Sequence, residues 1–113
     1  MKYFTVEQFK AKNQIVVTTY DQDNFKEEKY FWSHGSVIVK IDYTGIKPVV
    51  YLDTYAGWMS LHPTTKKYRS LFLEESAEEI ENKVKSREYI LASLNLSSDL
   101  GGDSGILIGE SDE

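Results

Sequence analysis

Ser36-Val37-Ile38-Val39-Lys40-Ile41-Asp42-Tyr43 sets Val37, Val39 and Ile41 against Ile38, Lys40 and Asp42. Successive side chains of a strand point to opposite faces, so this alternation predicts a strand with one apolar side. Upstream, Lys29 to Ser33 reads as its partner, with His34-Gly35 as a break or bulge between the two. Downstream, Thr44-Gly45-Ile46-Lys47-Pro48 turns the chain, and Val49 to Tyr55 alternates again. Further upstream, Gln14-Ile15-Val16-Val17-Thr18-Thr19-Tyr20 is β-branched, and Asp21-Gln22-Asp23-Asn24 has the side chains that bond nearby backbone in turns. Four strands with short links predict an antiparallel meander.

The flanks read as helical. Thr5 and Gln8 have capping-box spacing, and Phe4 and Phe9 occupy staple positions, which predicts a short N-terminal helix ended by Asn13. Thr64 or Thr65 is expected to cap a short helix carrying Tyr68, Leu71 and Phe72 on one face. Ser76 and Glu79 form a second capping box, and Ala77, Ile80, Val84, Leu91 and Leu94 recur at helical spacing, so a longer amphipathic helix is expected there. Residues 56–63, with Gly57 and Pro63, receive no assignment. The fold class is therefore α+β: a single domain over 1–95 and a flexible, disordered acidic tail over 96–113.

Composition bounds the chemistry. With 113 residues and 41% apolar content, the chain has material for one modest core. No apolar run approaches the roughly 20 residues that span a bilayer, and the N-terminus meets charge within a few residues, so a cytoplasmic protein is expected, in the host cell if phage-encoded. There is no cysteine, which removes disulfides, thiolate nucleophiles and cysteine-based metal sites. The formal net charge is −5, and the segment from Asn95 onward holds Asp99, Asp103, Glu110, Asp112 and Glu113 without Lys or Arg. The remainder is near neutral, which argues against a constitutive phosphate-binding surface.

Catalytic and metal chemistry find little material. His34 and His62 are the only histidines. His34, Ser36 and Asp42 or Asp53 are residue types of a hydrolase triad, but Ser36 lacks a nucleophile-elbow context. Asp21 to Asn24 begins like a calcium loop, yet Lys26 and Trp32 stand where glycine and glutamate are needed. Gly101-Gly102-Asp103-Ser104-Gly105 lacks the flanking strand and helix of a phosphate-cradling loop. No catalytic residue, metal site or cofactor is expected.

Binding is the alternative. Glu74, Glu75, Glu78, Glu79 and Glu81 cluster around the start of the longer helix and are candidates for occupying the basic, nucleic-acid-binding surface of a protein partner. Trp58, Lys66, Lys67, Tyr68 and Arg69 form an aromatic and basic cluster, the candidate for direct nucleic-acid contact by stacking and phosphate pairing. Aromatics make up 13% of the chain, and Tyr30, Phe31, Trp32, Tyr43, Tyr51, Tyr55 and Trp58 crowd the predicted sheet. Alternation cannot bury all of them on one face, so the expectation is a core plus partly exposed tyrosines on the outer face, with a binding surface as the functional alternative.

The run from Trp58 to Leu73, Trp-Met-Ser-Leu-His-Pro-Thr-Thr-Lys-Lys-Tyr-Arg-Ser-Leu-Phe-Leu, resembles a Trp, Ser, Thr-Thr, aromatic, Phe-Leu pattern in small proteins of phages and mobile elements. Small size, absence of cysteine and the acidic tail are also similar to phage-encoded inhibitors of host defence, including anti-CRISPR proteins. The resemblance implies a non-catalytic inhibitor acting through protein binding. Those inhibitors share no motif, so it assigns no residue.

Overall fold

The computed structural model describes residues 1–95. The expected tail, 96–113, lies outside the described residues. The fold is α+β, built on a mixed sheet of six strands in sequential order. Five strands form an antiparallel meander: β1 (Lys2–Gln8), β2 (Gln14–Asp21), β3 (Lys26–Ser33), β4 (Ser36–Asp42) and β5 (Val49–Asp53). One turn of π-helix (Tyr55–Met59), α1 (Pro63–Leu73) and α2 (Ala77–Lys85) come next, and the chain returns as β6 (Tyr89–Ala92), parallel to β5.

Two sequence expectations fail here. The N-terminal segment is strand β1, not a helix. Its local capping signals span barely two turns, and pairing with β2 along the whole length from Lys2–Asp21 to Gln8–Ile15 outweighs them. The turn between them is made by Lys10 and Asn13 at positive φ. The last helix stops at Lys85 instead of continuing to Leu94. Its Ser76–Glu79 capping box is present as expected, with reciprocal bonds of 3.1 and 2.8 Å. Ser86 caps the other end, Arg87 takes φ 70°, and Leu91 then faces Leu52 across a parallel ladder. The four-strand meander was thus an undercount by two edge strands.

His34-Gly35 forms the tight β3–β4 turn, with φ of 50° and 85°, the geometry that matches the twist of the flanking strands. Asp21 orders the β2–β3 turn by accepting from Asp23 N and Asn24 Nδ2. α1 is capped by His62, whose Nδ1 accepts from Thr64 N, with Pro63 in the first turn. Thr65, one of the two expected caps, is instead buried and hydrogen-bonded to Ser33.

All helical segments lie on one face of the sheet. Phe31, Val39, Leu52 and Leu91 form a continuous cross-strand row there, and Phe72 of α1 stacks on Phe31 at 5.2 Å. Ile80 of α2, Tyr89 and Ile41 complete the core, with Trp58, Tyr68 and Val84 packed around it. A bulge opposite Phe31 and Trp32 inserts Ile38, whose carbonyl lies against Gly57 of the π-turn. Asp53, at the end of β5, is buried and ties the π-turn to the exit of β6. One carboxylate oxygen accepts from Tyr55 N and Ala56 N, and the other from Leu94 N beyond β6. Asn95 then pairs its amide with both backbone groups of Val37, as a further strand residue would.

Candidate binding surface

The register of the sheet sorts the aromatics. Odd residues of β1 and even residues of β2 share the helix-covered face, and their neighbours share the other. On that second face Val6, Val17, Tyr30, Lys40, Tyr51 and Ile90 stand in one row across all six strands. Gln8, Ile15, Trp32 and Val37 form the row on one side, and Phe4, Thr19, Glu28, Asp42 and Val49 the row on the other. Among the described residues no element packs over this face. Phe4 is 66% exposed and Val6 56%, Tyr30, Trp32 and Tyr51 are half-buried, and Val37, at the end nearest Asn95, is buried.

The centre of the face is a compact polar knot. Lys40 Nζ lies 5.4 Å from the Tyr51 ring centroid and 6.0 Å from that of Tyr30, a cation–π arrangement. It also pairs with Glu28 at 3.3 Å, and Tyr30 donates its hydroxyl to the same carboxylate at 2.9 Å. Burial, reinforced by the Glu28 charge, pushes the Tyr30 phenol above its ordinary range, so it stays a neutral donor. At the edge, the Thr44 hydrogen bonds hold the Asp42 carboxyl below its usual range. The one lysine at the centre of the face is therefore already neutralised.

The two charged clusters expected from sequence are each divided. Of the glutamates, Glu75 pairs with Lys83 and accepts the Tyr89 hydroxyl, and Glu79 is held by its bonds to Ser76, which lower its pKa. Glu81 lies within 3.6 Å of Lys85. Glu74 and Glu78 are exposed, at the end of α1 and the start of α2. Glu7, Glu74, Glu75 and Glu79 do meet around a groove of about 940 Å³ floored by Phe9, Val16 and Phe72, but Lys10, Lys29 and Lys67 line it too. The groove is close to charge-balanced.

The basic cluster splits across α1. Lys67 faces that groove and lies over the Tyr68 ring, whereas Lys66 lines a smaller one, of about 320 Å³, together with Trp58, Arg69 and Glu81. Arg69 is withdrawn from solvent: it is 3% exposed, donates to the Gly57 carbonyl at 2.9 Å and lies over the Trp58 ring. Tyr68 and Trp58 are half-buried against the core. These residues hold the π-turn to α1, and only the two lysines remain for phosphate.

Of the triad residue types, Ser36 and Asp53 line one small groove without His34. His34 is exposed at a turn tip, and the Asp53 carboxylate is occupied by backbone N–H groups. Among the described residues no group of three or more His, Asp or Glu is placed to hold a metal ion, and no helix is long and apolar enough to cross a membrane. Comparison with known proteins finds no matching family model, no matching curated protein and no matching solved structure.

Proposed function

We propose that this chain is a non-catalytic binding protein that engages a protein partner through the open face of its sheet. The observation that carries the reading is the row Val6, Val17, Tyr30, Lys40, Tyr51 and Ile90, flanked by Phe4, Ile15 and Trp32. Six strands about 4.8 Å apart and about seven residues long present a face of roughly 550 Å². Phe4, Val6, Ile15, Val17, Trp32 and Ile90 make the face apolar around the Lys40–Glu28 pair, and an uncovered apolar surface set among polar groups is a form that interaction sites take. Tyr and Trp supply large contact area at low entropic cost and dominate binding energy at interfaces. A protein surface fits better than nucleic acid, because Lys40 is balanced by Glu28 and caged between two rings.

Exposed Glu74 and Glu78 favour a second reading, that of a phage-type inhibitor covering a basic surface. The two are separated by affinity capture from host lysate with wild type, Tyr51→Glu, and the double variant Glu74→Gln/Glu78→Gln. Capture lost in Tyr51→Glu and kept in the double variant supports the open face. The reverse pattern, with capture that fades at high salt, supports the acidic surface instead. Tight binding of DNA or RNA by the wild type, abolished by Lys66→Ala/Lys67→Ala, would overturn both.

A further inference from the structure

We propose that the protein forms a two-fold dimer by pairing β1 with β1 of a second copy, extending the sheet to twelve strands. This rests on the free edge of β1 and stands whether or not the open face binds another protein.

The hydrogen-bond phase of β1 decides which groups are free. Gln22 N donates to Met1 O at 2.9 Å, and Phe9 N donates to Gln14 O at 2.7 Å. Bonded residues alternate along an antiparallel ladder, so Tyr3, Thr5 and Glu7 face β2, while Lys2, Phe4, Val6 and Gln8 aim their N–H and C=O groups outward. Nothing among the described residues takes up those groups. All seven residues of β1 are exposed, including Tyr3, Phe4 and Val6. Natural edge strands are shortened, bulged, or broken with proline or charge to prevent pairing. β6, the opposite edge, has four residues, whereas β1 has seven, with no bulge and no proline, and its charges, Lys2 and Glu7, stand near its ends and leave Tyr3 to Val6 uncharged. An edge so little protected is suited to being covered.

The second copy fits it in one register better than in its neighbours. With the two-fold axis at Thr5, Lys2 faces Gln8 of the second copy and Phe4 faces its Val6. Each of these pairs, and each symmetry mate, exchanges two backbone bonds, so every outward group of β1 is satisfied. Moving the axis one residue, to Phe4 or Val6, leaves one outward residue of each copy unpaired. The chosen register also puts Phe4 and Val6 of both copies into one apolar cluster on the open face. Tyr3 lies opposite Glu7, and no like charges are opposed. The joined open faces then exceed the roughly 800 Å² per partner of an ordinary specific interface.

Sedimentation velocity of the full chain from 1 to 200 μM tests the proposal, with hydrogen exchange of the β1 amides as a second readout. The expected result is a concentration-dependent species of twice the 13.0 kDa chain mass, with at least tenfold slower exchange of the Phe4, Val6 and Gln8 amides in it. Val6→Pro removes one outward donor and leaves the bonds to β2 intact. Val6→Lys keeps the backbone and places charge against Phe4. Either should return the protein to monomer, with an unfolding midpoint that no longer rises with concentration and matches that of the dilute, monomeric wild type. A monomer at 200 μM with fast exchange at those amides would overturn the proposal, as would a dimer that survives both substitutions or a species larger than a dimer.

Discussion

Replacing Asp53 should cost more stability than its position at the end of a strand suggests. Its carboxylate accepts from Tyr55 N, Ala56 N and Leu94 N at 3.1, 2.7 and 2.8 Å, and the residue is 5% exposed. Asp53→Ala orphans all three donors. Hydrogen bonds to a charged acceptor contribute about 1.5–3 kcal/mol, and the lower end applies because these donors are only part-buried, which gives about 4.5 kcal/mol in total. Asp53→Asn keeps one oxygen for Tyr55 and Ala56 but turns an NH₂ toward the Leu94 N–H, a loss of about 2 kcal/mol. With a urea m-value of about 1.5 kcal/mol/M, the midpoints should fall by about 3 M and about 1.3 M. Equilibrium urea unfolding followed by tryptophan fluorescence measures both. A shift under about 0.5 M for the alanine variant would show that the carboxylate does not hold the π-turn and the exit of β6 together.

The same packing gives two further outcomes. Burial, aided by Glu28 and Glu75 respectively, raises Tyr30 and Tyr89 above the ordinary tyrosine range, so both stay protonated in the folded state after the unfolded chain has begun to ionise. Their contribution is complete below about pH 10 and is lost above it, at up to about 1.4 kcal/mol per pH unit for each, and Tyr30→Phe should lower the slope in pH-dependent unfolding while Tyr89, and Tyr43, which burial also raises, keep the rest. Gly57→Ala would place a Cβ 2.5 Å from the Ile38 carbonyl oxygen, a backbone atom that cannot step aside, and should destabilise by about 1–3 kcal/mol in thermal unfolding. Gly45→Ala, whose nearest neighbour would lie at 3.9 Å, is its neutral control.

The strands legible in the sequence are β4 and β5 by alternation, β2 by its β-branched run and β3 as the hairpin partner between them, and both helices are legible, α1 by the spacing of Tyr68, Leu71 and Phe72 and α2 by its complete capping box. The edges were not. Thr5, Gln8, Phe4 and Phe9 satisfy local helix signals, while the pairing that makes β1 a strand is with residues about 7 to 19 positions away. β6 was hidden because Leu91 and Leu94 continue the spacing of Ile80 and Val84, and the break falls at Arg87, a positive-φ residue that is not glycine. The surplus of aromatics over one buried face was visible, but which of them lie outside depends on register, and a bulge at Ile38 shifts the phase. Arg69 was read by its charge. Its place on the same stripe as Thr65 and Phe72, four before it and three after it, was the signal that it faces inward.

Tyr51 and Leu52 are neighbours in β5 on opposite faces, and together they test whether the open face is open. Leu52 is wholly buried, paired with Val39 on the helix side, and Leu52→Ala should cost about 2–5 kcal/mol through lost burial and the cavity left behind. Tyr51 is half-buried, with Lys40 against its ring and no described residue above it. Losing part of that contact should cost about 1 kcal/mol in Tyr51→Ala. A deficit near 1 kcal/mol leaves the aromatic row without a folding role large enough to explain it, and a binding role accounts for what remains. A deficit as large as that of Leu52→Ala would mean the face is already covered in the isolated protein. Repeating the pair in a chain ended at Asn95 identifies the cover: if residues 96–113 supply it, the Tyr51 deficit falls to the smaller value and the open face is an internal docking site.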